Sequence, residues 1–257
     1  MPDSYETRIT RAILDAYHDK LSRSLVSDVV VVGAGPSGLR AAIDLALMGR
    51  KVTLLEKRLS PGGGIWGGAM AMNEVVIQDE ALSALDGIAV TPRPAGSGLH
   101  VVDAMGLGSA LCAKAVESGV VVLNLILVED LCVHDGRVVG VVANRTGVGE
   151  RLPVDPVSFQ ASAVLDATGH EAALVHMLRR RGLLDGRAEP PAEGPMDAVA
   201  GEHSVVAGVS EVYPGLWISG MSVQVSLGGP RMGPIFGGML MSGRRAADLI
   251  HRALAGA

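Results

Sequence analysis

The sequence predicts an α/β protein with a central parallel sheet, and three observations carry that prediction. Residues 28–32 hold four consecutive valines, the mark of a short strand buried on both faces. Gly33-Ala-Gly35-Pro-Ser-Gly38 follows at once, and residues 39–48 then read as a helix. A second apolar run, residues 52–55, ends in Glu56. Strand, glycine turn, helix and strand make a β-α-β unit whose acid stands about 20 residues beyond the glycines. Gly33 permits the tight turn, Gly35 lets backbone approach a pyrophosphate, and Gly38 allows close packing of helix on strand. The helix N-terminus offers unpaired N–H groups and partial positive charge. Glu56 suits the two hydroxyls of a ribose. The unit therefore predicts a Rossmann-type dinucleotide site.

Composition narrows the functional classes. A chain of 257 residues with 48% hydrophobic content can bury a sizeable core. With two Trp, three Tyr and two Phe, that core must be mostly aliphatic. The net charge of −5, without a basic cluster, gives no electrostatic support for nucleic acid or a membrane surface as partner. No apolar run reaches the roughly 20 residues of a membrane span. The N-terminal segment is charged and amphipathic, unlike a signal peptide. Cys112 and Cys132 are expected to be buried thiols in a reducing compartment, which points to the cytoplasm.

The rest of the chain reads as one domain over residues 1–257. Ile9, Ile13, Leu14, Tyr17 and Leu21 recur at helical spacing, which predicts a helix over 5–24. It is expected to be either a lid over the sheet or a subunit contact. Residues 62–68 contain five glycines, unsuited to regular structure and suited to close backbone approach by the rest of a cofactor. Residues 74–90 are ambiguous, and 92–98 read as a turn-rich connection. A helix is expected over 101–118, a strand over 120–128, and a hairpin with Asp135-Gly136 as its turn. After a loop over 144–156, a strand over 157–165 is expected to return beside the first strand. Residues 184–204 look like a long excursion, 215–220 like a last strand, and 232–254 contain a closing helix.

Three groups downstream of the nucleotide unit could carry chemistry. Asp155 and His170 form a partial ligand set for a borderline divalent metal. Arg231 lies in a Gly/Pro loop that opens a helix, which suits a carboxylate or phosphate. Each also has a plainer reading: a turn residue, a surface imidazole, an exposed arginine. No G-x-S-x-G hydrolase motif and no C-x-x-C pair occurs.

Taken together, residues 33–38 (GAGPSG), 62–68 (GGGIWGG), 154–156 (VDP), 166–170 (DATGH) and 230–238 (PRMGPIFGG) resemble the thiamine thiazole synthase family over nearly the whole chain. The resemblance implies a flavoprotein-like, two-dinucleotide-binding fold with a β-hairpin region added to the parallel sheet. It implies an enzyme that cleaves NAD, releases nicotinamide, joins the ADP-ribose part to glycine and adds sulfur to close an ADP-thiazole carboxylate. One branch draws sulfur from its own cysteine; the other uses free sulfide with Fe(II). Carried over by position, Ser37, Glu56, Lys57, Gly64, Val128 and Met221 would contact the nucleotide, beside Gly33, Gly35 and Gly38 of the glycine turn. Asp155 and His170 would hold iron, and Arg231 would bind the glycine carboxylate. Members form ring-like homo-octamers with sites shared between neighbours. Pro153 stands where the branches carry Cys or His, so the self-sacrificing route is closed and the sulfide route remains. The alternatives are an FAD- or NAD-dependent oxidoreductase, or a related NAD-processing or nucleotide-binding protein that has lost full thiazole formation.

Overall fold

A computed structural model describes residues 3–148, 154–184 and 192–256. Helix α1 (Tyr5–Ser24) starts at Ser4, whose side chain accepts from Thr7 N. It leads into β1 (Val26–Val32), α2 (Pro36–Leu47) and β2 (Val52–Glu56). Alternate β1 valines face opposite ways. Val29 and Val31 enter the core beneath α2, while Val30 and Val32 enter a second core on the other face. Burial on both faces is why the run reads as unbroken valine rather than as alternation.

The glycine-rich segment forms a 3-10 turn at Gly63–Gly67. It buries Ile65, and Trp66 Nε1 donates to Pro61 O at 2.7 Å. Met70 and Met72 are exposed, so only half of its apolar residues are covered. The ambiguous stretch resolves into β3 (Glu74–Gln78) and a 3-10 segment, Asp79–Leu85. The expected turn-rich connection contains β4 (Arg93–Gly96), which pairs with β5 (Leu99–Asp103). The helix expected from residue 101 starts later, as α3 (Ala104–Glu117), because Val101 and Val102 pair with β3 in an antiparallel ladder. Asp103 caps α3 by accepting from Gly106 N at 2.6 Å.

The strand expected over 120–128 is two strands. β6 (Val121–Asn124) and β7 (Ile126–His134) are separated by Leu125, whose φ is 57°. β7 pairs with β8 (Arg137–Arg145) through a turn in which Asp135 and Gly136 both have positive φ, as that dipeptide predicts. β9 (Val157–Asp166) returns beside β1 in parallel register, Val32 opposite Asp166. α4 (Ala173–Arg180), β10 (Gly194–Met196), α5 (Ala198–Ala207), β11 (Ser210–Tyr213), β12 (Leu216–Ile218) and α6 (Met221–Leu227) follow. The two-residue β13 (Pro230–Arg231) and α7 (Gly237–Ala255) complete the chain.

The central sheet has the order β11-β12-β9-β1-β2-β6, parallel except for β11, with the β7–β8 hairpin added through β9. Helices α2 and α7 cross so closely that a Cβ on Gly243 would overlap the Ser37 carbonyl. Arg40 and Asp44 of α2 form a buried bidentate pair at 2.9 and 2.5 Å. Arg40 also donates to the carbonyls of Ala84 and Asp86, tying the 3-10 segment to the helix. Of α1, Tyr17 and Leu21 pack on the second core, whereas Ile9, Ile13 and Leu14 stay 46%, 64% and 62% exposed. The first turns of α1 are therefore not a lid over the chain's own sheet. Cys112 and Cys132 are half-buried rather than buried. Among the described residues no helix is long and apolar enough to cross a membrane.

One buried carboxylate makes stability depend on pH. Glu202 of α5 accepts from Gly238 N at 2.6 Å, at the N-terminus of α7, and also from Gln78 Nε2. Burial raises its pKa, outweighing those two donors and the nearby His203, which act the other way. A carboxyl whose folded pKa lies above its unfolded value stabilises fully below the unfolded value. That contribution is lost as pH rises through the folded pKa. Glu202→Gln is therefore expected to flatten the pH dependence and to melt higher than the parent at pH 8 but not at pH 4, in thermal melts across that range.

Candidate active site

A cavity of about 1020 Å³ lies where the carboxyl ends of β1, β2 and β9 meet α2 and α6. Its size matches the upper end of small-molecule sites, and it sits where open α/β sheets place their ligands. Gly33, Gly35, Pro36 and Ser37 form its floor. Gly33 has φ +99°, and a Cβ there would overlap the Ala167 carbonyl. A Cβ on Gly38 would overlap the Gly33 carbonyl, so Gly38 packs under the floor rather than lining it. No side chain caps α2, so its first N–H groups remain available to a ligand. The glycine-rich segment folds back over this turn: Gly62 N donates to Ala34 O at 2.6 Å, and Gly63 and Gly64 line the cavity.

Glu56 is held at the edge of the floor. Its Oε2 accepts from Ala34 N at 2.9 Å and its Oε1 from Arg58 N at 2.8 Å. Two backbone donors fix the carboxylate in place, and each oxygen retains acceptor capacity for a ribose hydroxyl. Lys57 also lines the cavity and forms a bidentate ion pair with Glu171 at 2.5 and 2.7 Å. Ser37 Oγ donates to Ser219 Oγ at 2.8 Å, and Ser242 Oγ accepts from Gly220 N at 2.8 Å, which locks the starts of α2 and α6 against α7. Val128 and Met221 add apolar wall.

The opposite end carries His170 and Arg231. His170 lies on a 3-10 turn, Gly169–Glu171, immediately after β9. That turn is positioned by Asp166, which is fully buried. Its Oδ1 accepts from Thr168 N, Thr168 Oγ1 and Ser222 Oγ, and its Oδ2 from Leu174 N and Val175 N. Arg231 is placed by the parallel pairing of β13 with β10. Glu193, just before β10, brings a carboxylate to both: 2.6 Å from His170 Nδ1 and 3.4 Å from Arg231 Nε.

The cavity thus joins a nucleotide-sized, glycine-floored half to an imidazole–guanidinium half. A model described as the Thi4 family matches residues 10–236. The chain belongs to the Thi4 family. The thiamine thiazole synthase of Thermococcus kodakarensis is 49% identical over 243 residues, 94% of this chain and 96% of its own length. That of Thermotoga maritima is 45% identical over 247 residues, 96% and 97% of the two chains. The crystal structure of Thermovibrio ammonificans THI4 superposes with a TM-score of 0.94 at 40% identity, covering 98% of this chain and 100% of that one.

Ten of the twelve residues singled out from the sequence of this Thi4-family chain line one cavity: Gly33, Gly35, Ser37, Glu56, Lys57, Gly64, Val128, His170, Met221 and Arg231. Gly38 supports it from below. Asp155 stands apart. It is exposed at the start of β9, whereas His170 follows the strand's far end. Ten residues of strand span about 30 Å, so the two side chains do not meet within one protomer. Among the described residues no group of three or more His, Cys, Asp or Glu converges as a metal site. His170 offers one imidazole nitrogen, a donor that suits a borderline divalent ion; with Glu193 on its Nδ1 side, one protomer does not complete a coordination set. Pro153 lies outside the described residues.

Glu193, Glu171 and Asp166 were not among the residues selected from sequence as site residues. Asp166 had a signal, an acid closing an apolar strand before Ala-Thr-Gly; Glu193 and Glu171 had none. Burial raises the Cys112 thiol, and burial together with Asp130 raises that of Cys132. Neither cysteine lines the cavity.

Gly38→Ala tests the floor. Its methyl would overlap the Gly33 carbonyl and come within 3.1 Å of the Ala167 Cβ, so overpacking of about 1–3 kcal/mol is expected. Calorimetric titration with ADP-ribose should show affinity weakened by about fivefold or more if most of that strain is relieved by displacing the floor, each 1.4 kcal/mol being tenfold. Unchanged affinity would count against this floor as the nucleotide subsite.

Proposed function

We propose that the chain is a thiamine thiazole synthase-like enzyme that makes the ADP-thiazole carboxylate from NAD, glycine and sulfide with Fe(II). It would act in the cytoplasm on thiamine thiazole biosynthesis. The observation that carries this reading is the continuity of one cavity from the glycine floor to His170 and Arg231.

The first N–H groups of α2 receive the pyrophosphate, and Glu56, fixed by Ala34 N and Arg58 N, accepts from the ribose hydroxyls. Ser37, Lys57, Gly64, Val128 and Met221 close around the rest of the nucleotide. Arg231 receives the glycine carboxylate, holding the amine beside the sugar carbon from which nicotinamide departs. Met232 and Phe236 help to exclude water there, so that glycine rather than water meets the sugar.

His170 of one protomer and Asp155 of another would hold the iron, which supplies Lewis acidity toward sulfide when bound. Two features support a shared site in a homo-oligomer, an octamer by family resemblance: the separation of Asp155 from His170 by β9, and the uncovered Ile9, Ile13 and Leu14 of α1. The raised thiols of Cys112 and Cys132, both outside the cavity, favour sulfide from solution over a protein-derived sulfur.

The direct test is nicotinamide release. Anaerobic protein with NAD and glycine should liberate nicotinamide, followed by chromatography, and Arg231→Ala should raise the glycine KM at least about tenfold by removing a bidentate charged contact. Recovery of intact NAD from the parent protein would contradict the reading.

A further inference from the structure

Glu193 is the least exposed of three polar side chains that meet beside the His170–Arg231 end of the cavity. Its side chain is 12% exposed, against 64% for His170 and 59% for Arg231. Backbone register puts it there. Gly194 N donates to Gly229 O at 2.8 Å and Asp197 N to Arg231 O at 3.1 Å, clamping both ends of β10 to β13. Glu193 Oε1 stands 2.6 Å from His170 Nδ1, yet this buried oxygen has no hydrogen-bond partner among the described residues. Oε2 faces Arg231 Nε at 3.4 Å. The three side chains also line a second cavity of about 500 Å³, whose wall includes His176.

We infer that Glu193 is a positioning residue that orients His170 and Arg231 together for metal and glycine. The inference rests on the roles given to those two residues above. A carboxylate this covered requires partners, and the His170 imidazole and the Arg231 guanidinium are the ones in reach. With Glu193 on the Nδ1 side of the imidazole, Nε2 is the nitrogen left to ligate a metal. Metal-bound histidines characteristically present their other nitrogen to a carboxylate or carbonyl in this way. With Glu193 on Nε, the two terminal nitrogens of Arg231 remain free for a bidentate grip on a carboxylate. One carboxylate thereby couples two ligand subsites on separate loops.

The test uses the full-length protein and the variants Glu193→Gln, Glu193→Asp and His170→Ala. Metal affinity is read with Co(II) by chelator competition, independently of turnover, and glycine KM and kcat are read in the nicotinamide-release assay. ADP-ribose affinity reports on the fold. Glu193→Gln is expected to weaken Co(II) about 10–100-fold and to raise glycine KM, with ADP-ribose affinity unchanged. Glu193→Asp, which keeps the charge with a shorter reach, is expected to fall between parent and Gln. Co(II) affinity and glycine KM within twofold of the parent in Glu193→Gln, while His170→Ala loses Co(II), would overturn the role of Glu193 alone. Unchanged Co(II) affinity in His170→Ala would overturn the metal assignment, and the positioning role with it.

Discussion

Asp166→Ala is expected to be the most destabilising single substitution in the site. The wild-type carboxylate is fully buried and satisfies five donors: Thr168 N, Thr168 Oγ1, Ser222 Oγ, Leu174 N and Val175 N. Two of these are orphan N–H groups of the first turn of α4, so the side chain acts as a cap as well as a hub. Alanine strips all five at once, inside a region that water reaches poorly. The expected cost is about 3–5 kcal/mol, the range for removing the charged member of a buried network. In a chain of this size that corresponds to a fall in Tm of about 10 °C. Asp166→Asn should also be poor. Its oxygen can serve one side, but its NH2 then confronts donors on the other. Differential scanning calorimetry checks both, and a melting point within 2 °C of the parent for alanine would remove Asp166 from the account.

His170→Ala is expected to have the largest effect on chemistry with the smallest effect on fold. The ring is mostly exposed, and its contact is with Glu193 rather than with the core. Removing it should leave Tm nearly unchanged and leave the floor of Gly33, Gly35 and Ser37 intact. Loss of an outer carboxylate partner typically costs 10–100-fold in metal affinity, and if His170 is a ligand, as proposed, its loss should exceed about 100-fold. Thiazole formation should fall in parallel, while ADP-ribose binds as before. The variant thus separates the two halves of the cavity. Asp155→Ala should share the phenotype although Asp155 lies at the other end of β9 from His170. Mixing the two inactive variants under conditions that exchange subunits should restore part of the activity, because some sites then receive a wild-type residue from each copy.

The glycine-floored half of the cavity was legible in the sequence because it is local. Four valines, three spaced glycines and Glu56 lie within one stretch of chain, and the structure assembles them as read. The Asp135-Gly136 turn and the return of β9 beside β1 were legible for the same reason: each is set by a short pattern. Where pairing partners are distant, local pattern misled. Val101 and Val102 continue an apolar helical run, yet the ladder with β3 claims them as strand. Leu125 interrupts what reads as one strand, because the chain turns there from the parallel sheet into the hairpin. The buried Arg40–Asp44 pair looks in sequence like an ordinary surface pair on a helix. Only the carbonyls of Ala84 and Asp86, more than forty residues away, make it an anchor.

The other half of the site was legible mainly through family resemblance. His170 and Arg231 are single residues whose chemistry depends on meeting across 61 positions of sequence, and no spacing rule encodes that. Glu193 lies in a Pro-, Gly- and acid-rich stretch that composition marks only as an excursion. Its significance appears when β10 pairs with β13 and sets the carboxylate between imidazole and guanidinium. Asp155 shows the reverse case: a residue the resemblance selects, which one copy of the chain leaves away from the cavity.

The measurement that tests the central claim most directly is anaerobic incubation of the protein with NAD, glycine, Fe(II) and sulfide. Mass spectrometry of the released small molecules and of the intact chain provides the readout. An ADP-thiazole in molar excess over protein, with the mass of the chain unchanged, is the predicted result. NAD recovered intact, or a chain lightened by the loss of one sulfur, would contradict it.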